Sequence, residues 1–344
     1  MVLQRSYVNI FVGLSQNQLD NFELVIKQMR IEKEENILLT SGTLTFNRNL
    51  YKKVFTVDTS FDNRSGNAWQ ALVNINRKIK AYKKLIEKIE PYRTASGLRV
   101  FFSYIEDVLS NHMALSFNKR AVGIVVEDGI LNYYHHTIKS LPRHKVLLKY
   151  LLSNLNGVRF RWYKGHSSGI DYPHVEKQYV RLPELSIRPE KSRKLEVPPV
   201  HIDRFTPTLV VVGQEAMEGK IGSRKYYRQM SVLFDKVVEI VNKHRVEKVY
   251  YKPHRHGKRL KKTFLNEKLR GIPYEILSAS APLENLYFDR LKSRFVVGFN
   301  SSAIINISIQ LARRDALHAY VFMKKDDMLR EIFAKLNCKI FDLE

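Results

Sequence analysis

The sequence predicts an α/β protein with two Rossmann-like parallel-sheet domains that face one another across a cleft. Two observations predict it. Short apolar runs alternate with helical patterns along the 344 residues, and this alternation stops and restarts around residues 182–207, which contain five prolines. Alternating strands and helices are typical of parallel sheets, and a proline-rich break is typical of a linker. We therefore predict an N-terminal domain over residues 1–190, a linker over 191–207 and a C-terminal domain over 208–344.

The N-terminal domain contains the clearest predicted helix and the clearest predicted strand. Trp69–Glu90 has apolar residues at three- and four-residue spacing, and Pro91 ends it. Ala121–Val126 contains no polar residue, which indicates a buried strand. Further strands are predicted at Tyr7–Val12, Asn36–Thr40, Lys53–Val57 and Leu98–Tyr104, and further helices at Asn17–Met29 and Arg143–Leu155.

The alternation restarts after the linker and continues towards the end of the chain. Predicted strands cover Thr208–Val212, Lys248–Lys252, Tyr274–Leu277, Phe295–Gly298 and Ala319–Phe322. Predicted helices cover Tyr226–Lys243, Lys261–Arg270, Pro282–Arg290, Ser301–Ala312 and Met328–Leu336. No internal repeat is present, so this half is predicted to form one further strand–helix domain.

The charge is the unusual feature of the composition. The chain has 58 Lys and Arg against 34 Asp and Glu, a formal net charge of +24. Such a charge favours nucleic acid, an anionic membrane surface, or an anionic small molecule or glycan as partner. Because no nucleic-acid recognition motif is present and the basic residues are spread over the whole chain, nucleic acid is the minor alternative.

Other features of the composition indicate a cytoplasmic protein without a metal. The single cysteine, Cys338, excludes an internal disulfide and favours a reducing compartment. His135 and His136 lack the spacing of a metal site, and we interpret them as structural or surface groups. The N-terminal residues are typical of a first strand rather than a signal peptide, and no stretch approaches the ~18 apolar residues that a membrane helix needs.

The first motif with chemical meaning is Glu127-Asp128-Gly129, which follows a predicted buried strand. Ligands bind at the carboxyl ends of strands in open α/β sheets. A carboxylate in a closed cleft can act as a general base towards a hydroxyl group. Carboxylates and glycine are also ordinary turn residues, so this motif alone does not decide between the two interpretations.

The second motif, Pro253-His254-Arg255, also follows a predicted strand. Proline holds the chain extended and presents His254 at the strand end. Histidine can donate a proton to a departing phosphate or stabilise its charge, and Lys252 and Arg255 add positive charge. Six of the eight residues from Lys252 to Arg259 are His, Lys or Arg, which argues against incidental histidines in a basic loop.

The third motif, Ser301-Ser302, opens a predicted helix after a strand and Gly298. The free N–H groups and positive dipole end of a first helical turn suit a phosphate, although serine is also a common helix cap. Upstream, Glu284 lies in the first turn of another predicted helix. There it either complements the helix dipole or binds ribose hydroxyls.

Together these strings resemble the bacterial sialyltransferases that act on lipooligosaccharide and capsular polysaccharide, including the polysialyltransferases. Those families show an acid-acid-Gly motif in the first domain, a Pro-His motif in the second and a later Ser-Ser motif, in the order found here. The second proline of the commoner Pro-His-Pro string is absent, and Arg255-His256 stands there instead. The motifs are short, but their positions after predicted strands extend the resemblance over most of the chain.

The resemblance implies a GT-B fold, CMP-sialic acid as donor and no metal or other cofactor. It gives His254 the role of protonating or stabilising the departing CMP phosphate. It places Ser301 and Ser302 on that phosphate and Glu284 on the ribose, and it adds Lys252, Pro253 and Arg255 to the donor-binding residues.

The resemblance leaves two assignments for the general base. In polysialyltransferase-like members the first acid of the acid-acid-Gly motif is the base, which is Glu127 here, with Asp128 beside it. In lipooligosaccharide-type enzymes the base is a carboxylate just after the first strand of the second domain. Ala216 stands near that position, so the flanking Glu215 and Glu218 are the alternatives.

The expected reaction is metal-independent, inverting transfer of sialic acid to a hydroxyl of a cell-surface glycan such as lipooligosaccharide or capsule. A transferase using the similar donor CMP-Kdo is the alternative within the same class. The surplus charge suggests an anionic or lipid-linked acceptor. The basic helix Trp69–Glu90 and the linker are candidates for peripheral contact with the inner membrane leaflet.

Overall fold

The computed structural model describes residues 7–58, 68–140, 142–254, 259–279 and 281–343. The chain divides into two compact units, Met1–Glu196 and Val197–Glu344. Each unit is built around one parallel sheet whose strands alternate with helices along the chain. The prediction of two parallel-sheet α/β domains is confirmed.

The first unit contains seven parallel strands. They are β1 (Val8–Gly13), β2 (Asn36–Ser41), β3 (Lys53–Val57), β4 (Leu98–Phe102), β5 (Val122–Val126), β6 (Val175–Val180) and β7 (Ser192–Lys194). Their order in the sheet is β3-β2-β1-β4-β5-β6-β7. The helices are α1 (Gln16–Met29), α2 (Ala68–Ile89), α3 (Val108–His112) and α4 (Arg143–Leu155), and α3 continues into a π-helical turn, Met113–Phe117.

The second unit contains six parallel strands in the order β10-β9-β8-β11-β12-β13. They are β8 (Thr206–Val212), β9 (Lys248–Lys252), β10 (Tyr274–Ile276), β11 (Ser293–Phe299), β12 (His318–Met323) and β13 (Lys339–Asp342). The helices are α5 (Glu218–Ile221), α6 (Ser223–His244), α7 (Lys262–Lys268), α8 (Leu283–Leu286), α9 (Ser302–Gln310) and α10 (Arg330–Lys335).

Both sheets reverse their strand order at one point. The chain enters near the middle of each sheet, at β1 or β8, and adds two strands on one side. It then crosses to the other side with β4 or β11. The connections on the two sides of such a switch point diverge and leave a crevice at the carboxyl ends of the strands, where ligands bind in open α/β sheets.

Helix α2 has the amphipathic character that its sequence predicts. Ile79, Tyr82, Leu85 and Ile89 are buried in the core of the first unit, while its Lys-rich side is largely exposed. Burial of this stripe removes apolar surface from water and ties α2 to the sheet. These four apolar residues therefore belong to the core, whereas Trp69 at the N-terminal end of α2 is exposed.

The sequence did not predict β6, β7 and β13, which are rich in polar side chains or short. Strand β6 carries Glu176, Lys177 and Gln178 in succession, so it shows neither an apolar run nor clean alternation. Buried Gln178 instead bonds to Asn132 at 3.0 Å and to Ser192 at 2.8 Å. Strand β13, with the sequence KIFD, is a short strand at the sheet edge.

The segment predicted as a linker, 191–207, is partly built into the two units. Its first residues form β7, which pairs with β6, and its last ones begin β8. Between them, the Val200 N–H donates to the Gln310 carbonyl at 2.7 Å. The proline-rich composition therefore predicted where one sheet ends and the next begins. It did not predict the backbone hydrogen bonds that the segment makes with each unit. None of the helices within the described ranges combines the length and apolar character needed to cross a membrane.

Candidate active site

The register of the second sheet brings the Pro-His motif, the Ser-Ser motif and the alternative base Glu215 to one edge. Val212 lies beside Lys252 of β9 on one side and beside Gly298 of β11 on the other. Because the strands are parallel and in register, the residues that follow all three leave the sheet at the same end. These residues include Glu215, His254 and Ser301.

Glu215 holds the loop that carries His254. Its side chain is 1% exposed, and its Oε2 accepts a hydrogen bond from the His254 backbone N–H at 2.7 Å. Its Oε1 accepts from the Tyr251 hydroxyl at 2.8 Å, and burial together with this carboxylate raises the pKa of Tyr251 well above its usual value. A buried carboxylate with both oxygens bonded is satisfied, so Glu215 is placed to position the Pro-His loop.

Gly213 makes this close contact possible. A Cβ at that position would lie 2.7 Å from Glu215 Oε2 and 2.7 Å from the Tyr251 hydroxyl. Both atoms belong to the network that bonds the His254 loop. Any residue larger than glycine at position 213 would therefore displace the side chains of Glu215 and Tyr251.

Lys252 lies at the end of β9 and is 6% exposed. Its Nζ donates to the carbonyls of Pro253 at 3.2 Å and Ala279 at 3.1 Å. Burial, with a smaller effect from the charge of Arg259, lowers the pKa of this ammonium. Lys252 thus ties the strand end to the loop after β10.

Ser301 and Ser302 begin helix α9, as predicted. Ser301 is the N-cap residue, and its Oγ accepts from the Ala303 N–H at 3.3 Å. The cap uses the hydroxyl oxygen as acceptor and leaves the hydroxyl proton available to a phosphate oxygen. In the first turn of α8, Glu284 accepts from Asn306, in the middle of α9, at 2.8 Å, which links α8 to α9.

Arg255 and Glu218 are the remaining predicted residues of this unit. Arg255 lies outside the described residues. Glu218, the first residue of α5, accepts from the Ser223 hydroxyl at 2.6 Å and is half-buried. Its contact joins α5 to the start of α6.

In the first unit, Glu127 is enclosed at the carboxyl end of β5. It is 1% exposed, and its Oε1 lies 2.5 Å from Nη1 of Arg181, itself 4% exposed. Its Oε2 accepts from the Arg181 backbone N–H at 2.7 Å and from the Tyr133 hydroxyl. Burial and this carboxylate raise the pKa of Tyr133 well above its usual value, so the phenol remains a donor.

Asp128 is the partly exposed carboxylate of the pair. Its Oδ1 accepts from Asn17 at 2.9 Å and its Oδ2 from Gln18 at 2.6 Å. Both amides lie in the first turn of α1, whose N-terminus follows β1 at the same edge of the sheet. Neutral amides orient this carboxylate without an opposing charge.

The histidines interpreted as structural lie near this edge. His136 Nδ1 is 2.9 Å from Ser167 Oγ and 3.2 Å from Glu106 Oε1. Within the described part of the chain, no group of three or more His, Cys, Asp or Glu side chains has the arrangement of a metal site.

Sequence reasoning missed the partners that hold these carboxylates. Arg181 is 54 residues from Glu127, and Gln18 is 110 residues from Asp128. No local pattern marks such pairs. Of the partners, only Tyr251 lies next to a motif in the sequence, since it belongs to the predicted strand Lys248–Lys252 that precedes the Pro-His motif.

Residues 9–311 match the family described as alpha-2,8-polysialyltransferase (POLYST). Comparison with curated protein sequences finds no match. Among solved structures, the 2,6-sialyltransferase of Vibrionaceae Photobacterium sp. JT-ISH-224, in a ternary complex with donor product CMP and acceptor substrate lactose, is similar with a TM-score of 0.50. The identity is 12%, over 96% of this chain and 78% of that chain.

The UDP-GlcNAc 2-epimerase of Methanocaldococcus jannaschii is similar with a TM-score of 0.51 and 10% identity, over 98% of this chain and 89% of that chain. At such identities the similarity concerns the fold. It agrees with the two parallel-sheet domains of the GT-B type, and the fold class predicted from the sequence is confirmed.

Proposed function

Because the chain belongs to the alpha-2,8-polysialyltransferase family, we propose that it transfers sialic acid from CMP-sialic acid to a hydroxyl of a cell-surface glycan, with inversion and without a metal. The family makes the protein a sialyltransferase. The Photobacterium sialyltransferase bound to the donor product CMP supports the choice of nucleotide.

The observation that carries the donor assignment is the shared register of Val212, Lys252 and Gly298. It brings the start of α9 and the Pro-His loop to one sheet edge. There the hydroxyls of Ser301 and Ser302 and the free N–H groups of the first turn of α9 bind the CMP phosphate. Glu284, anchored by Asn306, binds the ribose.

His254 acts on the leaving group. As the bond between the anomeric carbon and the phosphate oxygen breaks, negative charge develops on CMP. An imidazolium at the strand end stabilises that charge or donates its proton to the phosphate. Glu215 supports this role because it holds the His254 backbone in place.

A carboxylate of the Glu127-Asp128 pair acts as the base that takes the proton from the acceptor hydroxyl. The resemblance assigns this role to Glu127. The surroundings favour Asp128, because Asp128 is partly exposed and bonded by neutral amides, whereas Glu127 is buried and forms an ion pair with Arg181. We therefore assign the base to Asp128 and a supporting role to Glu127.

The acceptor we propose is anionic or lipid-linked, as in lipooligosaccharide or capsule, on the cytoplasmic side of the membrane. A product chain of sialic acids carries one carboxylate per residue, and a protein with a net charge of +24 attracts it.

The proposal is tested with purified protein, EDTA and a panel of nucleotide sugars that includes CMP-sialic acid, CMP-Kdo, UDP-sugars and GDP-sugars. Transfer or donor hydrolysis with CMP-sialic acid alone is expected. Turnover with CMP-Kdo only would show that CMP-Kdo, not CMP-sialic acid, is the donor. Turnover that stops in EDTA and returns when a divalent cation is added would disprove metal independence.

A further inference from the structure

Helix α4 presents an apolar face to solvent. Leu147, Tyr150, Leu151 and Leu155, which we call the α4 face, are 50%, 40%, 48% and 81% exposed. Their three- and four-residue spacing places them on one side of the helix. Elsewhere on the helix, Val146 and Ser153 are buried, and Val146 belongs to the core of the first unit. Four large apolar side chains together on a surface helix are typical of an interaction site.

The sequence around this face is entirely basic. Residues 129–170 contain no Asp or Glu and seven Lys or Arg, namely Lys139, Arg143, Lys145, Lys149, Arg159, Arg161 and Lys164. Helix α4 packs against α2, and Asn156 donates to Asn76 at 2.9 Å between them. Helix α2 adds Arg77, Lys80, Lys83, Lys84 and Lys88 against a single acid of the helix, Glu87, while its Lys78 is paired with Asp107 at 3.1 Å.

We infer that the α4 face docks on an anionic lipid bilayer. Helices that lie in a membrane interface combine leucine and aromatic side chains, which enter the headgroup region, with surrounding Lys and Arg, which attract anionic lipids. Charge complementarity selects this occupant. A second copy of the chain would bring the like charges of this basic segment towards each other.

The inference deepens the proposed function, since it rests on the proposal of a lipid-linked acceptor for its purpose. It also assigns the two helices different parts. Ile79, Tyr82, Leu85 and Ile89 of α2 are buried in the core, whereas Trp69 at its N-terminal end is 68% exposed. The Lys-rich part of α2 therefore contributes charge alone. The side chains that enter the bilayer are those of α4.

The first test measures binding of the full chain to vesicles without substrate. Binding is expected to vesicles of 70% phosphatidylcholine and 30% phosphatidylglycerol at physiological salt, and not to pure phosphatidylcholine. The variant Leu147→Gln/Leu151→Gln/Leu155→Gln should bind at least about tenfold more weakly, since each leucine loses its apolar burial in the interface. These side chains are exposed, so the variant should keep the wild-type Tm and its transfer to a soluble acceptor.

A matched control replaces exposed apolar residues of the second unit. Val232, Ile276 and Met328 are 47%, 44% and 55% exposed. Their simultaneous replacement by Gln should leave vesicle binding unchanged. The inference would be overturned if the leucine variant bound vesicles as tightly as the wild type. It would also be overturned if the control variant lost as much binding as the leucine variant.

A second test reports the orientation of the bound protein. The chain has two tryptophans, Trp69 and Trp162. With both replaced by Phe, the substitution Tyr150→Trp leaves a single indole on the α4 face. Its emission should shift to the blue when phosphatidylglycerol vesicles are added. Binding without a shift would mean that another surface docks, and a dimer that the leucine variant dissolves would identify the face as a self-interface.

The outcome is separable from that of the proposed function. Vesicle binding can fail while CMP-sialic acid is still turned over, and the donor panel can fail while the vesicles are bound.

Discussion

Glu127 is the residue whose surroundings differ most from those of an open catalytic base. Its ion pair with Arg181 is buried on both sides, at 1% and 3% side-chain exposure. Removing one partner of such a pair leaves an unpaired buried charge and costs about 3–5 kcal/mol. Loss of activity in a Glu127 variant therefore has to be separated from loss of stability.

The first prediction compares Glu127→Gln with Asp128→Asn. We expect Asp128→Asn to lower the Tm less than Glu127→Gln does, because it loses one hydrogen bond to a neutral amide. Its transfer rate should fall by about 100-fold or more, because the variant lacks the proposed base. We expect Glu127→Gln to lower the Tm by several degrees, because Arg181 loses its charged partner. Thermal unfolding and initial rates below the lowest Tm measure both effects.

Glu218→Gln is the control for this comparison, since Glu218 is a half-buried carboxylate that accepts a hydrogen bond from the neutral Ser223 hydroxyl. The Glu218→Gln variant should keep nearly the wild-type Tm and transfer rate. An Asp128→Asn variant with near wild-type rate, together with a folded but inactive Glu127→Gln variant, would return the base to Glu127.

The second prediction concerns His254. The variant His254→Ala should fold normally, because the contact with Glu215 uses the backbone N–H, which alanine retains. Its rate should fall by ~100- to 10,000-fold, the usual contribution of a positioned acid. His201→Ala, at an exposed position in the segment that connects β7 to β8 along the chain, should keep its rate. Near wild-type turnover in the folded His254→Ala variant would contradict the assignment.

At the scale of elements, predictions were most successful where the pattern is local. Helix α2 and strand β5 lie within a residue of their predicted bounds, because an apolar stripe or run determines each. Strands β6 and β7 were missed because they are held by buried polar contacts such as Gln178 with Ser192. The carboxyl-edge position of the motifs followed from parallel strands alone.

The third prediction uses the buried histidine of α3. Burial lowers the pKa of His112 to about 4, and its Nδ1 accepts from the Arg159 N–H at 3.0 Å. The unfolded chain takes up this proton below about pH 6.5, whereas the folded protein does so only near pH 4. Stability from this group is therefore present above pH 6.5 and is lost as the pH falls towards 4.

The measurement is urea unfolding of the wild type and His112→Gln at pH 7, 6 and 5. The difference in free energy of unfolding should shrink as the pH falls, with a slope of up to ~1.4 kcal/mol per pH unit. Other titrating groups are common to both proteins and cancel. A constant difference across this range would show that His112 is not held neutral by the fold.

At the scale of the whole molecule, the net charge of +24 exceeds what one CMP-sialic acid needs. A few positive groups neutralise its phosphate and carboxylate. The remaining charge is available to an anionic acceptor or to the membrane surface that carries it.

The fourth prediction follows from screening of these exposed charges, which interact over ~8–10 Å at physiological ionic strength. Raising the salt concentration should increase KM for the acceptor more than KM for CMP-sialic acid. The acceptor for this assay is a soluble sialylated oligosaccharide, so that membrane binding does not contribute. Equal KM values for the acceptor at low and high salt would show that the basic surface takes no part in its capture.

The sequence by itself determined the two parallel sheets and the order of the three motifs, because apolar runs, helical periodicity and strand-end residues are local properties of the chain. It did not determine that Arg181 encloses Glu127, that Glu215 holds the His254 loop, or that the leucines of α4 face solvent. The first two are contacts between residues 54 and 39 positions apart. The third depends on which side of the helix the neighbouring elements cover. Only the tertiary structure decides such matters, because the same local pattern is compatible with different long-range partners.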